Sequence, residues 1–345
     1  MATELRTVEV ADDCREAWLE IERRGWGDGL PCVPPTPELV DEMLGDLDPD
    51  EVVAELPPLG APASYRLLAV NAVMAGCDAA SFPVVCAAVR AVCDPAFNLL
   101  SVQSTTNPAT EVLVVNGPVR ARAGFVSERS CLGNGARANL TTGRAVRLAM
   151  SNIGGARPGR GDLATHGFPG KIGFCFAEAE ESSPWPPFHA GSLAATDSAV
   201  TVVAGSGTLN LLETTDDPEE LLRSFAQVLA FPGSNDVIYG GTPLLVLSPE
   251  HARILAGAGL AKEDVQLSLY ERATISAGEL SPTNRENLAV PFRRAHYGEI
   301  TASTRLHVSN GPEDILVVVA GGPGTHSVYV PTFGESRAVT RRVAE

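Results

Sequence analysis

Apolar positions along the chain fall into helical spacing first and into short strands later. Glu16 to Arg24 is amphipathic and is stopped by Gly25, Gly27 and Gly29, which predicts a short helix. Gly25-Trp-Gly-Asp-Gly-Leu-Pro-Cys-Val-Pro-Pro-Thr36 then reads as a turn followed by an extended arm, because proline biases the residue before it away from helix. Thr36, Pro37 and Glu38 supply a cap, a first-turn proline and a first-turn acid, so a helix should start at Pro37. Residues 51–65 are rich in proline and alanine and read as a connector. Tyr65 to Gly76 reads as a helix ended by glycine, and Phe82 to Cys93 as a helix apolar nearly all round and therefore buried. Asn98 to Gln103 and Thr110 to Asn116 read as strands.

The alternation continues. Ala138 to Asn152 has helical spacing, Ile172 to Glu178 reads as a strand, and Ala199 to Ala204 as another. A helix should run from Asp217 to about Ala230, then a strand over Pro243 to Leu247 and helices over Pro249 to Ala256 and Lys262 to Ala273. Asp314 to Ala320 and Ser327 to Val330 close the series as strands. Strands alternating with helices predict an α/β fold, with mixed or mostly parallel sheets layered with helices. Similar strand-to-loop units at Leu-Val-Val-Asn-Gly117, Thr-Val-Val-Ala-Gly205 and Val-Val-Val-Ala-Gly-Gly322 suggest two similar α/β lobes. The resulting division is an N-terminal helix and Gly/Pro-rich arm over 1–60, an α/β domain over 61–190 and a second over 191–345.

Composition narrows the function classes. Apolar residues are 44 % and charged residues 20 %, as in ordinary globular chains rather than disordered ones. A formal net charge of −16 argues against a nucleic-acid partner, since a polyanion needs a basic face. The first residues lack the apolar run of a signal peptide, and no apolar run reaches the roughly 18 residues that span a bilayer, so no membrane partner is expected. Seven cysteines, far apart and without CxxC spacing, point away from a disulfide framework and towards a reduced cytoplasmic compartment. Assembly as a homo-oligomer stays open.

Candidate chemistry concentrates between Cys131 and His189. Arg137, Asn139 and Arg144 lie at or near a helix start, where free backbone N–H groups favour an anion. Arg157 and Arg160 sit in a glycine-rich loop able to carry them to a carboxylate or phosphate. That loop and the glycine runs at 205–207 and 321–324 match neither the P-loop nor the dinucleotide fingerprint, so no cofactor is expected. His166 and Lys171 flank glycine turns, and alternation along the following strand puts Glu178 and Glu180 on the face opposite Cys175. These glutamates with His166 and His189 could bind a divalent metal or form an acid/base pair; the spacing is not diagnostic of a metal motif, and no metal is expected. Asp28, between glycines, is a further binding candidate, and Cys131 a candidate nucleophile.

Four segments carry a resemblance: Gly25 to Thr36, Ala72-Val-Met-Ala-Gly76, Thr165-His-Gly-Phe-Pro-Gly-Lys171 and Cys175 to Trp185. They resemble an uncharacterised bacterial family whose members accompany small UGSC-motif (seleno)proteins, and the similarity extends to Pro249-Glu-His-Ala252 and Ala320-Gly-Gly322. Gly27, Cys32, Phe168 and Ala179 depart from that pattern, where threonine, an aliphatic residue, glutamine and asparagine are common. The resemblance implies no activity. It implies a separate thiol or selenol protein as partner, since the UGSC motif is absent here.

The expected function is an enzyme of lyase or hydrolase type acting on a small anionic metabolite. Arg137 and Arg144 would hold the anion, His166 and Glu178 exchange protons, and Lys171 stabilise developing charge. One alternative is cysteine-dependent carbon–sulfur or redox chemistry at Cys131. Another is a non-catalytic subunit holding substrate for a thiol or selenol protein, the preferred reading if His166 and Glu178 face separate regions.

Overall fold

The computed structural model describes residues 7–10, 12–287 and 291–344. Residues 1–6, part of the stretch read for a leader, lie outside them. The main elements in chain order are α1 (Cys14–Arg23), α2 (Pro37–Leu44), β1 (Val52–Leu56), β2 (Ala61–Ser64), α3 (Tyr65–Ala75), α4 (Phe82–Val92), α5 (Leu99–Ser104) and β3 (Thr110–Asn116). They continue with α6 (Arg137–Asn152), β4 (Phe174–Ala177), β5 (Ala199–Gly205), β6 (Leu209–Leu212), α7 (Pro218–Leu229), β7 (Leu244–Leu247), α8 (Pro249–Gly257) and α9 (Lys262–Arg272). The last three are β8 (Leu316–Val319), β9 (His326–Val330) and β10 (Val339–Arg342).

Local chemistry explains the ends. The Thr36 hydroxyl accepts the Leu39 N–H and opens α2, with Pro37 in the first turn. Ser64 caps α3, and Gly76 ends it in the left-handed conformation at φ 86°. Two expectations are corrected. Residues 99–104 are helix, not strand: Leu99, Val102 and Gln103 are buried while Leu100 faces solvent, which is helical spacing. The connector at 51–65 is an antiparallel hairpin, β1 paired with β2.

Two four-stranded mixed sheets form the centre, confirming the α/β class. The first has the order β10-β5-β3-β4, with β3 parallel to β4 and antiparallel to β5, and β5 antiparallel to β10. The second has the order β6-β9-β7-β8, with β7 parallel to β8 and antiparallel to β9, and β9 antiparallel to β6. The pairing is the same in both: β3 corresponds to β7, β4 to β8, β5 to β9 and β10 to β6. The last pair is exchanged. After β5 the chain leaves the first sheet to become an edge of the second, and after β9 it returns to become an edge of the first.

The two crossings touch. Ser206 N donates to Pro331 O at 2.7 Å, and Phe333 N to Ala204 O at 2.9 Å. Gly205 is needed there, because a Cβ would stand 2.6 Å from Val112 and 2.8 Å from Val330 side-chain carbons. A cut at residue 190 therefore fails to divide the sheets: β5 and β10 both lie beyond it and belong to the first.

Alternating side chains build four layers. Leu113, Val115, Val200 and Val202 pack against α3, α4 and α6. On the opposite face Val112, Val114, Phe174, Phe176 and Val203 meet Leu244, Val246, Leu316, Val318 and Val330 of the second sheet. The outer face of that sheet, Leu245, Leu247, Val317 and Val319, is covered by α7, α8 and α9. Strands covered on both faces read as unbroken apolar runs, which is why Thr110 to Asn116 and Asp314 to Ala320 stand out in the sequence. Among the described residues no helix is long and apolar enough to cross a membrane.

Candidate functional site

At the end of β4 the chain steps from one sheet to the other. Glu178 N donates to Val115 O at 3.1 Å, continuing the parallel ladder, and Ala179 N donates to Val319 O of β8 at 2.7 Å. Glu178 thus stands at the carboxyl ends of the parallel pair β3 and β4. Its side chain is fully buried at 0 % exposure. Asn116, the last residue of β3, donates from Nδ2 to Glu178 Oε2 at 2.5 Å, and the Phe188 N–H donates to the same oxygen at 2.6 Å.

Neighbouring carboxylates are matched separately. Glu180 Oε1 accepts from Asn116 Nδ2 and Gly117 N, and Arg120 binds both Glu180 and Glu181. That leaves Lys262, the first residue of α9, to face Glu178, with Nζ 4.0 Å from Oε1. Lys262 Nζ also donates to Pro186 O at 3.0 Å and lies 5.8 Å from the centre of the Phe188 ring. Next to Phe188, His189 is buried; its Nε2 lies 3.1 Å from Ala194 O, a carbonyl that can only accept, so Nε2 carries the hydrogen of that bond. Among the described residues, Glu178 Oε1, Asn116 Oδ1 and His189 Nδ1 have no hydrogen-bond partner.

Burial acts on both charges. It raises the Glu178 pKa, against the opposing pull of Lys262 and of the Phe188 and Asn116 hydrogen bonds. It lowers the Lys262 pKa, against the opposing pull of Glu178 and Glu263. The two groups are shifted towards each other, the direction that narrows the difference in proton affinity between them.

The other sequence candidates lie elsewhere. Lys171 precedes β4 and Glu178 follows it, so the four-residue strand between them, at about 3.3 Å per residue, separates them by roughly 13 Å or more. Lys171 Nζ is held by Asp162 at 2.9 Å and Ala109 O at 3.2 Å, in a cluster with Arg147 and Glu111. His166 is exposed on the loop before β4. Thr165 N bonds Thr106 O ahead of β3, whereas Glu178 N bonds Val115 O near its other end, so His166 is exposed at one end of the strand pair and Glu178 is buried at the other, and the two do not share a site.

The expected anion-binding groups are occupied within the fold. Arg144 makes a two-pronged pair with Asp28, both contacts at 2.7 Å, and also bonds Leu30 O and Pro31 O, so these two residues clamp the N-terminal arm. Arg137 pairs with Asp78 at 2.9 Å. Asn139 fastens the preceding loop through Val126 N, Val126 O and Cys131 O. Arg157 turns towards Ser151 O and Asn152 Oδ1, and Arg160 is exposed. The glycine-rich loop carrying them is not a free lid: it closes on itself through Gly159 N to Asp162 O and is tied to the hairpin by Leu59 N to Gly154 O.

All seven cysteines are free thiols. Cys131 lies in the core between the sheets at 4 % exposure, and burial pushes its thiol up to about 11, which removes it as a ready nucleophile. Burial raises Cys32 as well, despite the Arg144 guanidinium beside it. Among the described residues no three His, Cys, Asp or Glu side chains gather as metal ligands.

Sequence reasoning missed Asn116, Arg120 and Lys262. One signal was present for Lys262: a lysine opening a helix puts a cation at the positive end of the macrodipole, where charge pairing does not favour it. Comparison with family models, curated proteins and solved structures finds no match to this chain.

Proposed function

We propose that this protein is an enzyme of lyase or hydrolase type that moves a proton on a small anionic metabolite, with Glu178 and Lys262 as the exchanging pair. The observation that carries this reading is the buried Glu178 Oε1, without a hydrogen-bond partner, facing Lys262 Nζ at 4.0 Å. Water would separate and saturate two such charges on an open surface. Here Asn116 and the Phe188 N–H fix one carboxylate oxygen and leave the other aimed at the amine. Glu178 then gives or takes the proton, and Lys262 steadies negative charge as it develops on the substrate. Lys262 also replaces Arg137 and Arg144 as the cation that meets the anion, since those two are matched by acids of the fold. The free thiols support a reducing, cytoplasmic setting.

The loss of His166 as a proton partner gives weight to the binding-subunit reading, as does the full burial of Glu178. One experiment separates the two. The protein is incubated with a panel of small carboxylic acids in deuterated, ¹⁸O-enriched water, and carbon-bound deuterium and incorporated ¹⁸O are followed by NMR and mass spectrometry. Incorporation into at least one acid, reduced at least 100-fold in Glu178→Gln, is expected. Incorporation no faster than in buffer across the panel would overturn the enzyme reading and favour a subunit serving a separate thiol or selenol protein. Equal rates in wild type and Glu178→Gln would remove Glu178 from the chemistry.

A further inference from the structure

Of the 26 basic residues in the chain only two are lysines, Lys171 and Lys262. Every other cationic position is met by arginine, including the buried pairs of Arg120 and Arg147. Arginine supplies charge and directed hydrogen bonds but stays protonated and cannot act as an amine. Where charge alone is needed this chain uses arginine, so a lysine facing a buried carboxylate points to a need for its amine.

The two lysines differ in their surroundings. Lys171 Nζ is 2.9 Å from Asp162, a normal ion pair, with Ala109 O as a further acceptor. Lys262 Nζ is 4.0 Å from the nearest carboxylate oxygen, too far for a hydrogen bond, and that oxygen is unpaired. Both lysine side chains are 13 % exposed, so exposure does not separate them; Lys262 Nζ donates to Pro186 O at 3.0 Å and lies 5.8 Å from the Phe188 ring centre. Lys262 opens α9, where the helix N-terminus disfavours an ammonium, and burial acts in the same direction.

Resting on the acid–base reading of this site, we infer that Lys262 is an amine nucleophile that takes small carbonyl compounds (aldehydes, ketones and 2-oxo acids) as a Schiff base. Neutral Nζ attacks the carbonyl carbon, and after proton transfer the carbinolamine carries one hydroxyl and one N–H. Glu178 gives its carboxyl proton to that hydroxyl, the C–O bond breaks, and water leaves. The nitrogen lone pair forms the C=N bond, leaving a protonated imine on Lys262 beside a Glu178 carboxylate. Carbonyl, amine and carboxylic acid thus become iminium, water and carboxylate, with no oxidant or further reactant. The gap between Nζ and Oε1 is the one a carbinolamine hydroxyl would bridge.

Reductive trapping tests this on the whole chain. The protein is incubated with pyruvate or with propanal, reduced with borohydride, digested, and its modified amines are mapped. With two lysines and one α-amine the map is unambiguous. The expected result is one adduct per chain at Lys262, formed at least tenfold faster than at Lys171, and at least tenfold more slowly in Glu178→Gln. Labelling at Lys171 or the α-amine as fast as at Lys262, in folded wild type, would overturn the inference without recourse to a variant. So would an adduct rate at Lys262 unchanged by Glu178→Gln. Isotope incorporation that persists without trapping would defeat the Schiff base alone; absence of both would defeat the acid–base reading as well.

Discussion

Burial keeps the Glu178 carboxyl protonated above the pH at which an exposed glutamate ionises. Its folded pKa is raised, so its contribution to stability is full below the unfolded value, ordinarily 4.5, and is lost as pH rises through the folded value. Each tenfold change in proton affinity between the folded and unfolded chain corresponds to about 1.4 kcal/mol. Urea unfolding of wild type and Glu178→Gln between pH 4 and pH 8 should therefore show wild type losing ground to the variant as pH rises. Parallel curves would mean that Glu178 ionises at its ordinary pH. Glu178→Ala strands the Asn116 amide, the Phe188 N–H and Lys262 together, and should cost about 2–5 kcal/mol at any pH in that range. Much at this scale is legible in the sequence. Strand alternation and a glycine-flanked approach single out Glu178, but Asn116 and Lys262, which meet its side chain, lie far off along the chain and so escape a local reading. Arg144, Asp28, Arg137 and Asn139 are polar residues in a suggestive stretch, but their partners lie in other segments, and a sequence does not show which charges are already matched.

At the scale of elements, most helices and strands are readable because caps, first-turn prolines and terminal glycines are local. The segment at 99–104 misleads because six residues hold too few apolar positions to separate a period of 3.6 from one of 2. The strand exchange is not legible at all. Pairing of Val339 with Val202 and of Val328 with Val246 follows from the layers, not from any local pattern. The exchange has a consequence. β10 covers an edge of the first sheet and buries Val339, with Val343 just beyond it, so removing residues 337–345 bares β5. Losing two buried valines alone removes roughly 3–6 kcal/mol. The truncated chain should elute as aggregate in size-exclusion chromatography or melt well below the full chain. Unchanged elution and melting would mean that the returning strand is dispensable.

At the scale of the molecule, two lobes of one pairing pattern share a central interface, and the candidate site lies where the chain steps between them at Glu178 and Ala179. The first lobe supplies the acid from the end of β4 and the second supplies the amine from the start of α9. Neither lobe holds the pair alone, which is why residues 131–189 by themselves contain only half of it. Arg120 offsets one of the two charges of Glu180 and Glu181, so Lys262 is the cation left to meet an anionic substrate. The central claim is that Glu178 and Lys262 form one buried, proton-exchanging pair. Because the chain has two lysines, lysine-selective ¹⁵N labelling gives two side-chain amine signals, assigned by Lys171→Arg. Titrated by NMR, Lys262 should lose its proton below the ordinary lysine value of 10.5, and lower still in Glu178→Gln, since Glu178 holds that proton on. Titration at 10.5 with no response to Glu178→Gln would contradict the account.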